Sequence, residues 1–297
     1  MRYYTFSAGH EFLCRPLYYA AELVLSSDKI LVFVPAYNCA AQIGRVLGQF
    51  SAPETRAHFH TILILDNQSR DGTAAAAIKA RDALGLHNCI VGRNVANYGL
   101  GGSHKAAFTY AREHGFTHVV VLHGDDQGSI ADLLPILARG AHRSHDACLG
   151  ARFMAGSQLA GYSKFRIFGN YVFNTLFSIG SGRAVYDLGS GLNIFSRPFF
   201  DDARIARYSD DLPFNVFLLL GAFDARRKLM FFPISWREDD QVSNVKMMSQ
   251  ATKTLTILFD YVFRRKVMRN TDHRATPVAE YRFEMLDNQS QVLSAQR

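Results

Sequence analysis

The chemistry of this chain is concentrated in residues 123–127, which read His-Gly-Asp-Asp-Gln. They follow the apolar run 119–122, which reads as a strand buried on both faces of a parallel sheet. In open α/β sheets the carboxyl ends of such strands are where ligands bind. Oxygen and imidazole groups on alternate residues, His123, Asp125 and Gln127, can face one divalent cation. Asp125 or Asp126 can equally cap a helix starting near residue 129. The pentapeptide alone leaves both readings open.

The elements that would position these residues are legible on either side. A strand over 30–34 leads into Pro35-Ala-Tyr-Asn38 and a helix over about 41–50. A second strand, 61–65, closes in residues 66–73, Asp-Asn-Gln-Ser-Arg-Asp-Gly-Thr, and an alanine-rich helix follows over 74–84. A third strand, 89–91, leads to the turn 97–103 and a helix over 104–114; a helix near 130–140 and a strand 146–150 follow the acidic tip. Strands and helices alternating through short Gly- and Asp-rich junctions predict an α/β, doubly wound, mostly parallel sheet with helices on both faces. All junctions then fall on one edge, bringing Asp66 and the turn 97–102 toward Asp125. The glycines at 99, 101 and 102 permit either close backbone approach to an anion at a helix start or a tight turn with no ligand. The run is not GxGxxG and follows the third strand, which disfavours a dinucleotide-binding domain.

Composition sets outer bounds. A chain of 297 residues fits one such domain with additions, and its four scattered cysteines argue against a disulfide framework or a zinc knuckle. The net charge of +7 implies an anionic partner. Nucleic acid is not the expected one, because the basic residues lack interleaved aromatics. No apolar run reaches the ~18 residues of a membrane-spanning helix. With Glu11 and Glu22 near the N-terminus a signal peptide is not expected, so the expectation is a cytoplasmic protein with peripheral membrane contact left open. Three regions are expected: an extension over 1–28 packing on the core, the main domain over 29–250, and a C-terminal amphipathic helix and tail over 251–297.

The ordered set Val-Pro-Ala-Tyr-Asn, Asp-Asn-Gln-Ser-Arg-Asp-Gly-Thr, Asn-Tyr-Gly-Leu-Gly-Gly and His-Gly-Asp-Asp-Gln resembles the nucleotide-sugar half of family-2 glycosyltransferases of the GT-A fold, a Rossmann-like architecture. The resemblance spans about residues 29–250. It implies a nucleotide site at Pro35, Tyr37, Asn38, Asp66 and Asn97, with Tyr37 bordering the base and Asp66 bonding it. It also implies Mg²⁺ or Mn²⁺ at the strand end, bridging the donor diphosphate.

The second half, with Arg152, Ser163-Lys-Phe-Arg-Ile-Phe-Gly-Asn170, Asp187-Leu-Gly-Ser-Gly191 and Phe232-Pro-Ile-Ser-Trp-Arg237, resembles the polyprenyl-phosphate branch of that family, typified by dolichyl-phosphate mannose synthases. The resemblance implies metal ligation by His123, Asp125 and Gln127 and phosphate contacts from Arg152, Arg166 and Asn170. A closing loop would carry Arg237, Ser243 and Lys246. Two departures matter. His123 stands where the branch has Asp; imidazole suits Mn²⁺ better than Mg²⁺, or the ring points away and leaves the ion to Asp125 and Gln127. The closing loop is longer and more acidic, with Glu238, Asp239 and Asp240.

A phosphate acceptor is already ionised and needs no general base, whereas a hydroxyl acceptor needs a carboxylate. Asp211 is the candidate base, with helix capping by Ser209 and Asp210 as the structural alternative. Asp187 divides likewise between acceptor contact and a turn. Phe165, Phe168, Tyr171, Val172, Leu176 and Phe177 recur at helical spacing, as do Leu255, Leu258, Phe259, Val262 and Phe263 ahead of the basic run 264–266. Each stripe is either a bilayer contact beside a lipid phosphate or ordinary core. Three functional readings result: sugar transfer to a polyprenyl phosphate, sugar transfer to a saccharide or lipid hydroxyl with Asp211 as base, or a nucleotide-sugar-binding protein without turnover.

Overall fold

A computed structural model describes residues 28–238 and 247–286. The expected N-terminal extension apart from Asp28, together with Ser243 and Lys246, lies outside the described residues. Strands β1 (Ile30–Ala36), β2 (Thr61–Asp66), β3 (Cys89–Asn94) and β4 (His118–Leu122) pair in parallel in the spatial order β3-β2-β1-β4. Alternate side chains point to opposite faces, so Leu31, Phe33, Val119 and Val121 enter one core while Val32, Val34, Val120 and Leu122 enter the other. Both faces are dry, which is why these strands are apolar throughout. Each such side chain contributes about 1.5–3 kcal/mol on burial, more than any exposed ion pair.

Helices α1 (Ile43–Gly48) and α2 (Pro53–Arg56) connect β1 to β2, α3 (Thr73–Ala83) connects β2 to β3, and α4 (Gly99–Glu113) connects β3 to β4. The helix expected over 130–140 is split into a 3₁₀ turn, Ile130–Asp132, and α5 (Leu134–Ala138). Pro135 explains the break, because proline fits the first turn of a helix and not its interior.

The rest of the chain completes the sheet. β5 (Ala147–Ala151) is followed by β6 (Gln158–Ala160), α6 (Lys164–Ser181), β7 (Leu192–Ser196), α7 (Arg197–Phe200), α8 (Phe214–Asp224), β8 (Leu229–Pro233) and β9 (Ser235–Arg237). Then come α9 (Met247–Phe263), α10 (Arg265–Asn270) and β10 (Phe283–Met285). The eight-stranded order is β10-β3-β2-β1-β4-β7-β5-β8, with β7 antiparallel to both neighbours and β10 antiparallel on β3. β6 and β9 form a separate parallel pair. Residues 283–285 thus attach to the sheet edge, where Phe283 packs over Gly92; a Cβ on that glycine would meet the ring at 2.6 Å.

This topology fixes where a ligand can sit. The chain steps outward from β1 to β2 and β3, then returns to β4 on the other side of β1. The loops after β1 and β4 therefore diverge, leaving a crevice at their carboxyl ends.

Candidate active site

The crevice is a cavity of about 330 Å³ between the loop after β1, the tip after β4 and the start of α4. Pro35, Tyr37, Asn97, His123 and Asp125 of the expected set line it, joined by Asn67, Ser103 and Leu212. Gly124 lets the two loops touch. Its N–H donates to the Pro35 carbonyl at 3.1 Å, and a Cβ there would lie 3.0 Å from that oxygen and 3.2 Å from Cys39 Sγ.

The two adjacent acids divide their work. Asp126, at φ +59°, is buried and turned away from the crevice. Its carboxylate accepts from Arg45 Nε (2.6 Å), Gln49 Nε2 (3.2 Å) and the Arg237 guanidinium. Asp125 faces the crevice, with one long bond from the Gln127 N–H at 3.3 Å. Neither caps the following helical turn, a role Ser129 fills by accepting from the Ala131 N–H. The capping reading of this pair therefore falls away. Burial pushes the Asp125 carboxyl up to about 6, against the Gln127 N–H, which favours its charged form. A half-buried carboxylate with so little internal compensation is suited to a cation.

His123 supports the same inference. Burial lowers its pKa to about 4, and the Arg152 guanidinium acts in the same sense. The ring is neutral at pH 7, and its Nε2 is buried without a hydrogen-bond partner. Gly191 makes room for it: a Cβ there would lie 2.8 Å from the ring and 2.9 Å from Trp236. Asp125 and His123 thus fit a divalent ion, as carboxylate and neutral imidazole donors. Gln127 lines a neighbouring cavity of about 590 Å³ with Arg237 and Trp236, not the crevice.

The remaining expected residues fall into three groups. Tyr37 is exposed at the crevice mouth, and Asn38 anchors the loop by accepting from the Arg70 N–H at 3.0 Å. Asp66 lies beneath the floor, fully buried, accepting from the Ser69 N–H and paired with Arg93 Nε at 3.0 Å. Asn67 takes its place on the crevice wall, donating to Asn97 Oδ1 at 2.8 Å.

A second group is engaged in the frame. Arg152 and Asp187 form a two-pronged pair, both bonds 2.8 Å, and Asp187 also accepts from the N–H groups of Arg152 and Gly189. Burial opposes the Arg152 charge, but Asp187 outweighs it and raises that pKa. Arg166 pairs with Glu238 and stacks on Tyr162, and Asn170 bonds back to the Arg166 carbonyl. Arg237 holds the tip, donating through Nε to the Asp126 carbonyl at 3.0 Å and through its main chain to Gln127.

The third group is the acidic pair 210–211. Asp210 accepts from Lys105 Nζ at 2.6 Å and from Tyr281. Asp211 is exposed at the rim beside Gly99 and has no side-chain hydrogen bond among the described residues. α8 begins at Phe214 without a side-chain cap, so neither acid serves that purpose. The glycines of α4 serve close packing: Cβ atoms at 99 and 101 would meet main-chain oxygens of Asp210 and Ser209 at 2.5 and 2.4 Å. Sequence reasoning missed this contact, since nothing local in Gly99-Leu-Gly-Gly names its partner.

A larger cavity of about 620 Å³ lies behind α4. Of its cations, Lys105, Arg274 and Arg282 pair with Asp210, Asp272 and Glu280, and Arg112 is exposed, donating to Thr109 Oγ1 at 2.9 Å.

Beneath the crevice His104 sits among Phe33, Phe108 and Phe214, its ring 6.5 Å from that of His123. Burial lowers its pKa to about 3. Unfolding restores both imidazoles to ordinary values near 6.5, so the folded chain holds fewer protons between those limits. Their contribution to stability is full above pH 6.5 and is lost as pH falls toward the folded values. Asp125, raised instead of lowered, opposes this with one proton against two. His104→Phe is expected to flatten the loss of stability between pH 7 and 4.5. Urea midpoints across that range check this, and an unchanged slope would contradict it.

Comparison with known proteins identifies the family and the fold. The family model described as Glycosyl transferase family 2 matches residues 31–203. The chain is 26% identical over 188 residues to an uncharacterized protein of Methanocaldococcus jannaschii, covering 62% of this chain and 73% of that one. It is 23% identical over 221 residues to polyprenol monophosphomannose synthase of Mycolicibacterium smegmatis, covering 72% and 80%. Among solved structures, glucosyl-3-phosphoglycerate synthase of Mycobacterium tuberculosis superposes with a TM-score of 0.58 at 15% identity, covering 80% of this chain and 81% of that one. The same enzyme in complex with Mn²⁺, UDP-glucose and phosphoglyceric acid gives 0.57 at 14% identity, covering 79% of each chain.

Proposed function

The chain belongs to glycosyl transferase family 2, and from that premise we propose that it moves a sugar from a nucleotide-diphosphate donor to a polyprenyl-phosphate-type acceptor at a membrane surface. It is a nucleotide-sugar-dependent glycosyltransferase with the GT-A fold. The acceptor and the residue roles are our reading.

The donor nucleotide occupies the crevice beside Tyr37, Asn67 and Asn97. Asp125 and His123 would hold a divalent ion, Mn²⁺ or Mg²⁺, which would supply Lewis-acid stabilisation to the departing diphosphate. Arg152, whose field reaches both His123 and Asp125, adds fixed positive charge on the same side. Arg237 acts through the tip by holding Asp126 and thereby positioning Asp125. In an inverting displacement an acceptor phosphate oxygen bonds to the anomeric carbon as the bond to the diphosphate breaks. The diphosphate leaves with the electron pair. No general base is needed, because the nucleophile is already ionised.

The observation that carries the lipid acceptor is the apolar surface beside the site. α6 starts where Arg166 meets Glu238, next to Arg237, and leaves Phe165, Phe168 and Ile179 exposed by 74, 67 and 76%. α9 lies against α6, where Gly180 permits close contact with Leu258, and exposes Phe259 and Phe263. Lys164, Arg183, Arg264 and Lys266 are exposed on these helices or next to their ends. An apolar face with basic ends is what an anionic bilayer accepts. No helix among the described residues is long and apolar enough to cross a membrane, so contact would be peripheral. The polyprenol-specific relative supports the same acceptor class.

The second reading, a hydroxyl acceptor, rests on Asp211 standing unengaged at the rim. Radiolabelled donor with polyprenyl phosphate in anionic vesicles tests both. The lipid reading predicts organic-extractable product, little loss of rate in Asp211→Asn, and several-fold less vesicle flotation for Phe168→Glu/Phe263→Glu. Product only on a saccharide, with a large loss in folded Asp211→Asn, would replace it with the hydroxyl reading.

A further inference from the structure

A second group of ligand-type side chains lies at the opposite edge of the sheet. Asp28 stands just ahead of β1, His118 is the first residue of β4, and His142 sits in the 3₁₀ turn Ala141–Arg143. We propose that these three residues form a second divalent-cation site, of the zinc type, which ties the entry to β1, the start of β4 and the 3₁₀ turn together.

The geometry is that of three donors around one point. One carboxylate oxygen of Asp28 lies 2.9 Å from His142 Nε2, and the other lies 3.9 Å from His118 Nδ1. One ligand atom from each residue falls within 4.8 Å of the others. Donors around a tetrahedral ion with bonds of about 2.0–2.1 Å stand roughly 3.3 Å apart, so shifts of about an ångström close the set. The 3.9 Å separation is too long for a hydrogen bond and leaves room to draw both atoms onto a shared ion.

The donors are also held in place by their surroundings. Both imidazoles are buried, and their rings cross edge to face with centroids 5.0 Å apart. A hydrogen bond to the His142 main chain helps fix the His118 ring, as outer partners do for metal-bound histidines. Two imidazoles and one carboxylate, with no thiolate, favour zinc and its neighbours over magnesium or calcium. They also leave a fourth position for water.

Three contacts compete among the described residues. His142 Nε2 and Asp28 hydrogen-bond directly at 2.9 Å, a bond that the ion would replace. Thr117 Oγ1 lies 3.0 Å from His118 Nδ1, and Arg143 Nε donates to Asp28 at 2.7 Å. The threonine hydroxyl also reaches the Lys29 carbonyl, at 3.3 Å, and can yield the nitrogen. Arg143 is half exposed; its charge is screened, and it can remain on the outer side of the carboxylate.

The test uses Zn²⁺ on the full chain, stripped by chelator and carrying Asp125→Asn to disable the crevice. One equivalent should bind below about 1 µM, raise the melting temperature, and give a visible absorption band when Co²⁺ replaces it. His142→Gln in that background should weaken binding at least a hundredfold and abolish the thermal shift. If that variant fails to fold, His118→Gln provides the same comparison. Absence of a tight equivalent in the folded Asp125→Asn protein would overturn the proposal, as would its persistence in a folded histidine variant.

Discussion

Asp125→Asn is expected to lower metal-dependent donor turnover by about 10²–10³-fold, the range found when one preorganised electrostatic contact to the developing charge is removed. The fold should survive, because among the described residues Asp125 bonds only to nearby main-chain N–H groups, that of Gln127 at 3.3 Å, and burial already disfavours its charge. Melting temperature should stay level or rise slightly in the metal-free protein. Asp126→Asn is the informative contrast. That side chain serves Arg45, Gln49 and Arg237, so its loss should cost stability as well as rate. Initial rates with Mn²⁺ and melts of both variants check the division. A fully active Asp125→Asn would remove Asp125 from the chemistry.

The second large effect is on stability. Asp187→Ala leaves the Arg152 guanidinium uncompensated where its side chain is only 15% exposed. Removing one member of a buried pair costs about 3–5 kcal/mol, and two main-chain N–H groups lose their acceptor as well. For a domain of this size that corresponds to a melting-temperature drop on the order of 10 °C. A drop below about 2 °C with impaired acceptor binding would contradict this. It would return Asp187 to the acceptor site.

Much of this was legible in the chain because parallel strands announce themselves. Short, largely apolar runs at 30–34, 61–65 and 119–122, bounded by Gly-, Pro- and Asp-rich junctions, read as strands dry on both sides, and in a parallel sheet their carboxyl ends share an edge. What was not legible depends on partners distant in sequence. Nothing near residue 192 says that β7 runs antiparallel between β4 and β5. Nothing in the polar stretch after 270 says that Phe283 will find Gly92. The same holds within the site. Asp66 and Asn67 are adjacent on a strand end, so one points under the floor and the other toward the crevice, and the sequence does not say which. The pairs Asp125–Asp126 and Asp210–Asp211 were likewise readable as acids, but not as one engaged and one open member each. Arg152 was readable as a phosphate contact and Asp187 as an acceptor contact or a turn residue, but not as partners of each other.

Calorimetric titration of UDP and GDP, each with Mn²⁺, Mg²⁺ or chelator, tests the central claim most directly. One nucleotide is expected to bind in a metal-dependent way, and Asp125→Asn to eliminate the metal-dependent part. Binding unaffected by chelator, or no binding of either nucleotide by the folded protein under any metal condition, would contradict it.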